Sequence, residues 1–288
     1  MVAGFFLNFR HSGGYNDAFY KRIILDTLET VCYYEEKYRN GKHTLWGITN
    51  MRILIVRHGD PNYAIDSLTK KGKSEAKHLA KKLIRTGAEY YYCSPLGRAK
   101  KTASYTLKPL KRKAEILPWL KEFEGKVKYP NGKIVSCWDR LPSEWTSEPL
   151  HYTEKWYESA LMSSYNVKDE YFKVIKGLDE LLKKHGYIHD GKIFRVETGN
   201  HDTIVLFCHF GVECVILSHI LGTSPMIFWH NFVALPSSVT EIVTEEREKG
   251  IASFRIISFG DTGHLYKGNE NPSFAARFCE CFEDDTRH

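Results

Sequence analysis

Residues Met51 to Pro61 read MRILIVRHGDP, an apolar run, Ile53 to Val56, that breaks directly into Arg57-His58-Gly59. Consecutive large aliphatics suit a strand buried on both faces of a parallel sheet. The residues after such a strand stand at its carboxyl end, where open α/β sheets place their chemistry. Arg57 offers a planar fork of donors that fits phosphate oxygens, and His58 an imidazole capable of nucleophilic attack. Gly59, lacking a Cβ, allows a bound group to approach the backbone. By itself the stretch predicts a histidine that accepts a phosphoryl group.

The pattern recurs downstream, where Thr203-Ile-Val-Leu-Phe-Cys208 ends in His209-Phe210-Gly211 and leads into a helical stretch, Val212 to Leu221. Two buried strands that both end in a histidine can bring two imidazoles to one phosphate. Between them strands and helices alternate. From Leu68, LTKKGKSEAKHLAKKLIRTG repeats apolar residues at Ala76, Leu79, Ala80, Leu83 and Ile84, the spacing of an amphipathic helix entered at Thr69 and ended by Gly87. Tyr90 to Cys93 reads as a strand that breaks at Ser94-Pro95 into the helical GRAKKTASYTL, whose first turn carries Arg98 toward the edge that holds His58. Glu115 to Leu117 is a third short strand. Short alternating units predict a parallel sheet with right-handed crossovers.

Further on, Val167 to His185 is an amphipathic helix and Lys192 to Val196 an edge strand. Ser238 to Thr244 and Ala252 to Phe259 read as a closing β-pair, and Pro272 to Phe282 as a terminal helix. His185 and His189 lie four apart, as helical metal ligands do, but Gly186 intervenes and no acidic partner is evident; they read as a loop. Residues 126–164 interrupt the alternation with Pro130-Asn131-Gly132, Pro142 and Pro149, and carry Trp138, Trp145, Tyr152, Trp156 and Tyr157. Such an insertion is either a lid over a site or a packed surface subdomain.

Residues 1–50 differ from the rest, with one amphipathic helix over Asp17 to Tyr38 flanked by Gly-, Asn- and aromatic-rich sequence. Trp46-Gly47 must be encoded TGG-GGN, a G-rich tract just upstream of the Met51 codon, as a bacterial ribosome-binding site would be. We therefore expect an N-terminal extension over 1–50, with the translated protein starting at Met51, and a single domain over 51–288. A real N-terminal helix packed on the domain is the alternative.

The 288 residues allow one substantial core plus an insertion. A hydrophobic share of 42% and a charged share of 26% are those of a globular chain and exclude a disordered one. No apolar run approaches the roughly 18 residues of a membrane helix, and Ala3 to Leu7 is too short for a secretory signal. The formal charge of +6 comes with lysines at helical spacing, which read as solvated faces rather than a nucleic-acid surface. The 7 cysteines are scattered and form no CxxC pair, which fits a reduced cytoplasm.

Taken together, RHG at Arg57 to Gly59, the LT..G helix at Leu68 to Gly72, SPLGRAKKTA at Ser94 to Ala103, L.E at Leu120 to Glu122, H.G at His209 to Gly211, SSVTEI at Ser237 to Ile242 and GDTGHL at Gly260 to Leu265 carry a resemblance. Across residues 51 to 268 the chain resembles the histidine phosphatase superfamily, including its bacterial members. The resemblance implies a three-layer α/β/α sandwich around a mostly parallel sheet, phosphoglycerate-mutase-like, with the aromatic-rich insertion added. It implies that His58 forms a phosphohistidine, that Arg57, Arg98 and His209 clamp the phosphoryl oxygens, and that Glu122 protonates the leaving group and then activates water. Glu124, two residues on, is the alternative acid. Gly59 and Asn62 join the expected substrate-binding set; Asn62 would act from a shifted position, because Ala64 fills the place of the family's asparagine. His264 matches a family position and reads as structural.

The expected activity is that of a phosphomonoesterase of the histidine acid phosphatase type, needing no metal and no other cofactor, on a small phosphorylated metabolite. A phosphoglycerate-mutase-type phosphotransferase and a non-catalytic phosphate-binding module are the alternatives. Neither nucleic acid nor membrane is an expected partner, and homo-oligomerisation is left open.

Overall fold

Strand β1 (Arg52–Arg57) lies inside an eight-stranded sheet in the computed structural model, which describes residues 50–273 and Phe282. The other strands are β2 (Pro61–Asn62), β3 (Ser67–Leu68), β4 (Tyr90–Cys93), β5 (Glu115–Ile116), β6 (Lys126–Lys128), β7 (Ile134–Ser136), β8 (Tyr187–Asp190), β9 (Ile193–Val196), β10 (Thr203–Cys208), β11 (Val239–Glu248) and β12 (Ile251–Asp261). The helices are α1 (Lys70–Leu83), α2 (Gly97–Leu110), α3 (Pro142–Thr146), α4 (Val167–Lys184), α5 (Phe210–Leu221), α6 (Pro225–Asn231) and α7 (Gly263–Lys267). The chain divides after Thr49. The helix expected over Asp17 to Tyr38 lies outside the described residues, as does residue 274 onward of the expected terminal helix, Phe282 excepted.

The sheet order is β5-β4-β10-β1-β11-β12-β9-β8. β5, β4, β10 and β1 run parallel, whereas the pairs from β1 through β11, β12 and β9 to β8 are antiparallel. Alternation along β1 explains the three layers. Ile53 and Ile55 pack on one face with Leu178 and Leu182 of α4 and Val215 of α5. Leu54 and Val56 pack on the other with Leu79 and Leu83 of α1 and Ala99 and Ala103 of α2. Helix α1 begins as its sequence dictates, with the Thr69 hydroxyl accepting from Gly72 N at 3.0 Å, and Gly87 takes φ +69° after the final turn.

Two local readings are corrected. Ile193–Val196 is not an edge strand, because β9 lies between β12 and β8. Nor are His185 and His189 a loop: His185 caps the end of α4, Gly186 turns the chain at φ +86°, and His189 sits in β8. The two-residue turn Gly191-Lys192, with Gly191 at φ +64° and Asp190 opposite Ile193, folds β8 onto β9. Glycine at the first central position favours that hairpin. Ser224-Pro225 starts α6: the Ser224 hydroxyl accepts from Met226 N at 3.2 Å and the proline occupies the first turn.

In the insertion, Trp145 and Trp156 are buried in the main core. Trp156 meets Trp229 of α6 edge-on at 5.4 Å between centroids, and Trp229 stacks on Phe123 at 5.4 Å. The insertion thereby buttresses the segment that carries Glu122. Cys93, Cys137, Cys208 and Cys214 are buried free thiols. Among the described residues no helix is long and apolar enough to cross a membrane.

Candidate active site

The pairing of Arg57 with Cys208 across β1 and β10 delivers His58 and His209 together as both strands leave the sheet. Their ring centroids are 5.0 Å apart. His58 N donates to Cys208 O at 3.1 Å, and His58 O accepts from Ser237 N at 3.0 Å, so its backbone is fixed from two sides. Its Nδ1 lies 2.8 Å from Gly59 O. A carbonyl only accepts, so Nδ1 carries the hydrogen and Nε2 keeps the lone pair. Burial, then the neighbouring Arg57 guanidinium, pushes the His58 pKa down to about 3. The ring is therefore neutral at ordinary pH, with a nucleophilic Nε2.

His209 is fully buried. Its Nε2 lies 2.7 Å from the Ser94 hydroxyl, which itself accepts from Leu96 N at 3.2 Å. With that hydroxyl donating to Nε2, the histidine hydrogen stands on Nδ1. Nδ1 is buried and has no hydrogen-bond partner among the described residues, and so can donate to a ligand oxygen. Burial, then the approach of His58, holds this imidazole well below its ordinary pKa.

Two guanidinium groups join the histidines. Arg57 is 5% exposed; it donates from Nη1 to Ala234 O and lies over the Phe210 ring at 5.7 Å. Arg98 reaches in from the first turn of α2, with Nη1 donating to Asp66 Oδ1 at 2.8 Å and its guanidinium 5.4 Å from the Tyr63 ring centre. Asp66, at φ 42°, also accepts from Gly97 N at 2.6 Å through Oδ2. It therefore caps α2 and holds Arg98 at once. Against the desolvation that would raise it, the Gly97 N–H and the Arg98 guanidinium keep the Asp66 carboxyl below the usual range.

Of the two candidate acids, only Glu122 turns inward. Its Oε1 accepts from Phe123 N at 2.8 Å and Val212 N at 3.3 Å, at the start of α5. It sits so close to Gly211 that a methyl there would lie 2.6 Å from it. Trp229 Nε1 holds Gly211 O from behind at 3.0 Å. Burial raises the Glu122 pKa, while the two N–H groups, Arg57 and Arg98 oppose the rise. Glu124 points to solvent, its side chain 53% exposed and paired with Lys121 at 2.5 Å.

Gly59 and Asn62 are placed differently from expectation. Gly59 N donates to the Thr102 hydroxyl at 3.0 Å, and a Cβ at Gly59 would lie 2.7 Å from Gly72 O. Its missing side chain thus serves the close approach of α1 and leaves the N–H already engaged. Asn62 Oδ1 caps its own turn, accepting from Ala64 N at 3.2 Å; an asparagine facing a short turn satisfies the nearest backbone donor first. His264 is buried, with Nε2 3.3 Å from the hydroxyl of Ser237, the residue that holds His58 O.

Three residues of this region are not among the expected site residues: Asp66, Ser94 and Glu213. Ser94 could have been found as the first polar residue after a buried strand. Glu213, four residues after His209, is the one acid in the apolar α5. It accepts from the Thr240 hydroxyl at 2.5 Å through Oε1; Oε2 is buried with no hydrogen-bond partner among the described residues, and burial pushes its pKa up to about 7.

Several solved structures resemble this one. A mutant phosphoserine phosphatase from Entamoeba histolytica, in complex with phosphoserine, superposes with a TM-score of 0.51 at 18% identity, over 75% of this chain and 99% of that one. A mycobacterial glucosyl-3-phosphoglycerate phosphatase gives 0.49 at 14% identity over 73% and 99% of the two chains. An alpha-ribazole phosphatase from Shigella flexneri gives 0.47 at 19% identity over 73% and 96%. No curated protein matches the chain in sequence. Residues 53–187 match the family model described as histidine phosphatase superfamily (branch 1), and this part of the chain, which carries Arg57, His58, Arg98 and Glu122, is similar to that superfamily.

Proposed function

We propose that the protein is a phosphomonoester hydrolase that works through a phosphohistidine on His58. The observation that carries this reading is the neutral His58 beside His209, with Arg57 and Arg98 alongside and Glu122 at the start of α5. In the first step the His58 Nε2 lone pair attacks phosphorus, the N–P bond forms and the ester P–O bond breaks. The leaving oxygen takes the proton of the Glu122 carboxyl, which burial favours keeping until then. In the second step water attacks phosphorus and gives its proton to the Glu122 carboxylate as the N–P bond breaks, releasing phosphate and neutral His58. Charge spreads over the phosphoryl oxygens in both steps, and Arg57, Arg98 and the His209 Nδ1–H are the donors that stabilise it.

The test is turnover of phosphorylated metabolites, phosphoserine and phosphoglycerate esters among them, combined with acid-quench and alkali-quench trapping. A phosphoenzyme stable in alkali and lost in acid, with label ending in free phosphate, supports the hydrolase. Label retained in a rearranged product makes the protein a mutase. Turnover without a phosphoenzyme overturns the mechanism.

A further inference from the structure

Away from the His58 edge, the fold gathers three metal-ligating side chains that the phosphatase reading does not use. Asp179 comes from α4, His189 from β8 and His219 from the last turn of α5. One ligand atom from each lies within 4.8 Å of the others. His219 Nε2 is 2.8 Å from Asp179 Oδ1, and His189 Nδ1 is 4.0 Å from the same oxygen. The two imidazole centroids are 4.4 Å apart. His219 follows His209 along α5 by about 15 Å of helix rise, so this cluster is separate from the phosphoryl site.

We propose that Asp179, His189 and His219 bind one divalent transition-metal ion of the zinc class. Two imidazoles and a carboxylate are the donor set such ions select, whereas magnesium and calcium take oxygen ligands. Bonds of about 2.0–2.1 Å at a tetrahedral centre place donor atoms roughly 3.4 Å apart. The observed separations of 2.8 and 4.0 Å bracket that value. Small rotations of side chains would therefore replace the Asp179 to His219 hydrogen bond by two metal bonds and draw His189 in. Burial is graded: the side chains of His219, His189 and Asp179 are 8%, 26% and 36% exposed. The inner ligand is fixed, and the outer two border a surface cleft that also takes in Lys176 and Ile188. That cleft provides an entry path and leaves the fourth coordination position to water. Such an ion would tie the edge strand β8 to both helices of that layer.

The test uses the full-length chain, freed of metal with chelator and titrated with zinc(II) against a competing chromophoric chelator. One tight equivalent is expected, and cobalt(II) in its place should give visible d–d absorption of a four-coordinate site. His189→Ala, His219→Ala and the near-isosteric Asp179→Asn should each weaken zinc binding by on the order of 100-fold, since loss of even an outer hydrogen-bond partner costs 10–100-fold. Far-ultraviolet circular dichroism identifies any variant that fails to fold, and Asp179→Asn preserves shape. His58→Ala should bind zinc as the wild type does. Wild-type zinc binding no tighter than that of the His189→Ala/His219→Ala double variant overturns the proposal, as does loss of the tight equivalent in His58→Ala.

Discussion

His58 and His209 stand with ring centroids 5.0 Å apart and planes inclined by 59°, each the first residue beyond a parallel strand. Both are held neutral by burial, and their Nδ1 atoms differ in what they meet: Nδ1 of His58 is spent on Gly59 O, while Nδ1 of His209 has no hydrogen-bond partner among the described residues. In the proposed mechanism the first ring attacks and the second donates. His58→Ala should lower turnover by several orders of magnitude and abolish the phosphoenzyme, measured by quench trapping with labelled substrate. Unchanged turnover would refute the nucleophile assignment.

The inward turn of Glu122 and the outward turn of Glu124 separate two acids two residues apart. Glu122→Gln should slow esters with poor leaving groups far more than p-nitrophenyl phosphate, whose leaving group needs no proton. Glu124→Gln should leave both rates near wild type. Equal slowing of the two substrates in Glu122→Gln would show that Glu122 is not the acid.

Asp66 bonds both the Arg98 guanidinium and the first N–H of α2. Arg98→Ala should reduce kcat/KM by on the order of 10² to 10³, by analogy with loss of an oxyanion donor. Asp66→Ala should show a smaller fall in kcat/KM together with about 1 kcal/mol of lost stability from the helix cap. Urea unfolding alongside steady-state kinetics checks both. An Asp66→Ala variant with wild-type kcat/KM would mean that Arg98 holds its place unaided.

Gly59 and Gly72 approach too closely for a side chain on either: a Cβ at Gly59 would meet Gly72 O at 2.7 Å, and one at Gly72 would meet Asp60 O at 2.2 Å. Backbone cannot yield as a flexible side chain does, so Gly59→Ala should destabilise the fold by about 1–3 kcal/mol. The check is the urea midpoint of Gly59→Ala. A wild-type midpoint would show that the contact relaxes at no cost.

Glu213 is pushed up to about 7 by burial from an ordinary value of 4.5. Between those values the unfolded chain releases a proton that the folded chain keeps, so this group makes stability fall as pH rises from 4.5 to 7. The whole effect is roughly 3 kcal/mol. Glu213→Gln lacks it, so its Tm relative to wild type should be higher at pH 8 than at pH 4.5. His58 acts with the opposite sign. Its depressed value of about 3, against 6.5, makes stability fall as pH drops through that window. A pH-independent Tm difference for Glu213→Gln would place the folded-state pKa of Glu213 near its ordinary value.

Local pattern by itself determined much of this protein. β4 and β10 coincide with the apolar runs Tyr90 to Cys93 and Thr203 to Cys208, because a strand buried on both faces must be a short apolar run bounded by breakers. α1 follows from its 3.6-residue period and its Thr69 cap. The pair of histidines followed from two strands with the same ending. The tertiary structure alone decided the contacts that join distant segments. It decided that Glu122 rather than Glu124 meets α5, that Gly59 abuts Gly72, that Asn62 closes its own turn, and that His189 meets His219 and Asp179. Periodicity reports which way a residue faces within its own element. Which partner waits on that side depends on how sheet and helices close around one another, and no stretch of sequence contains that information alone.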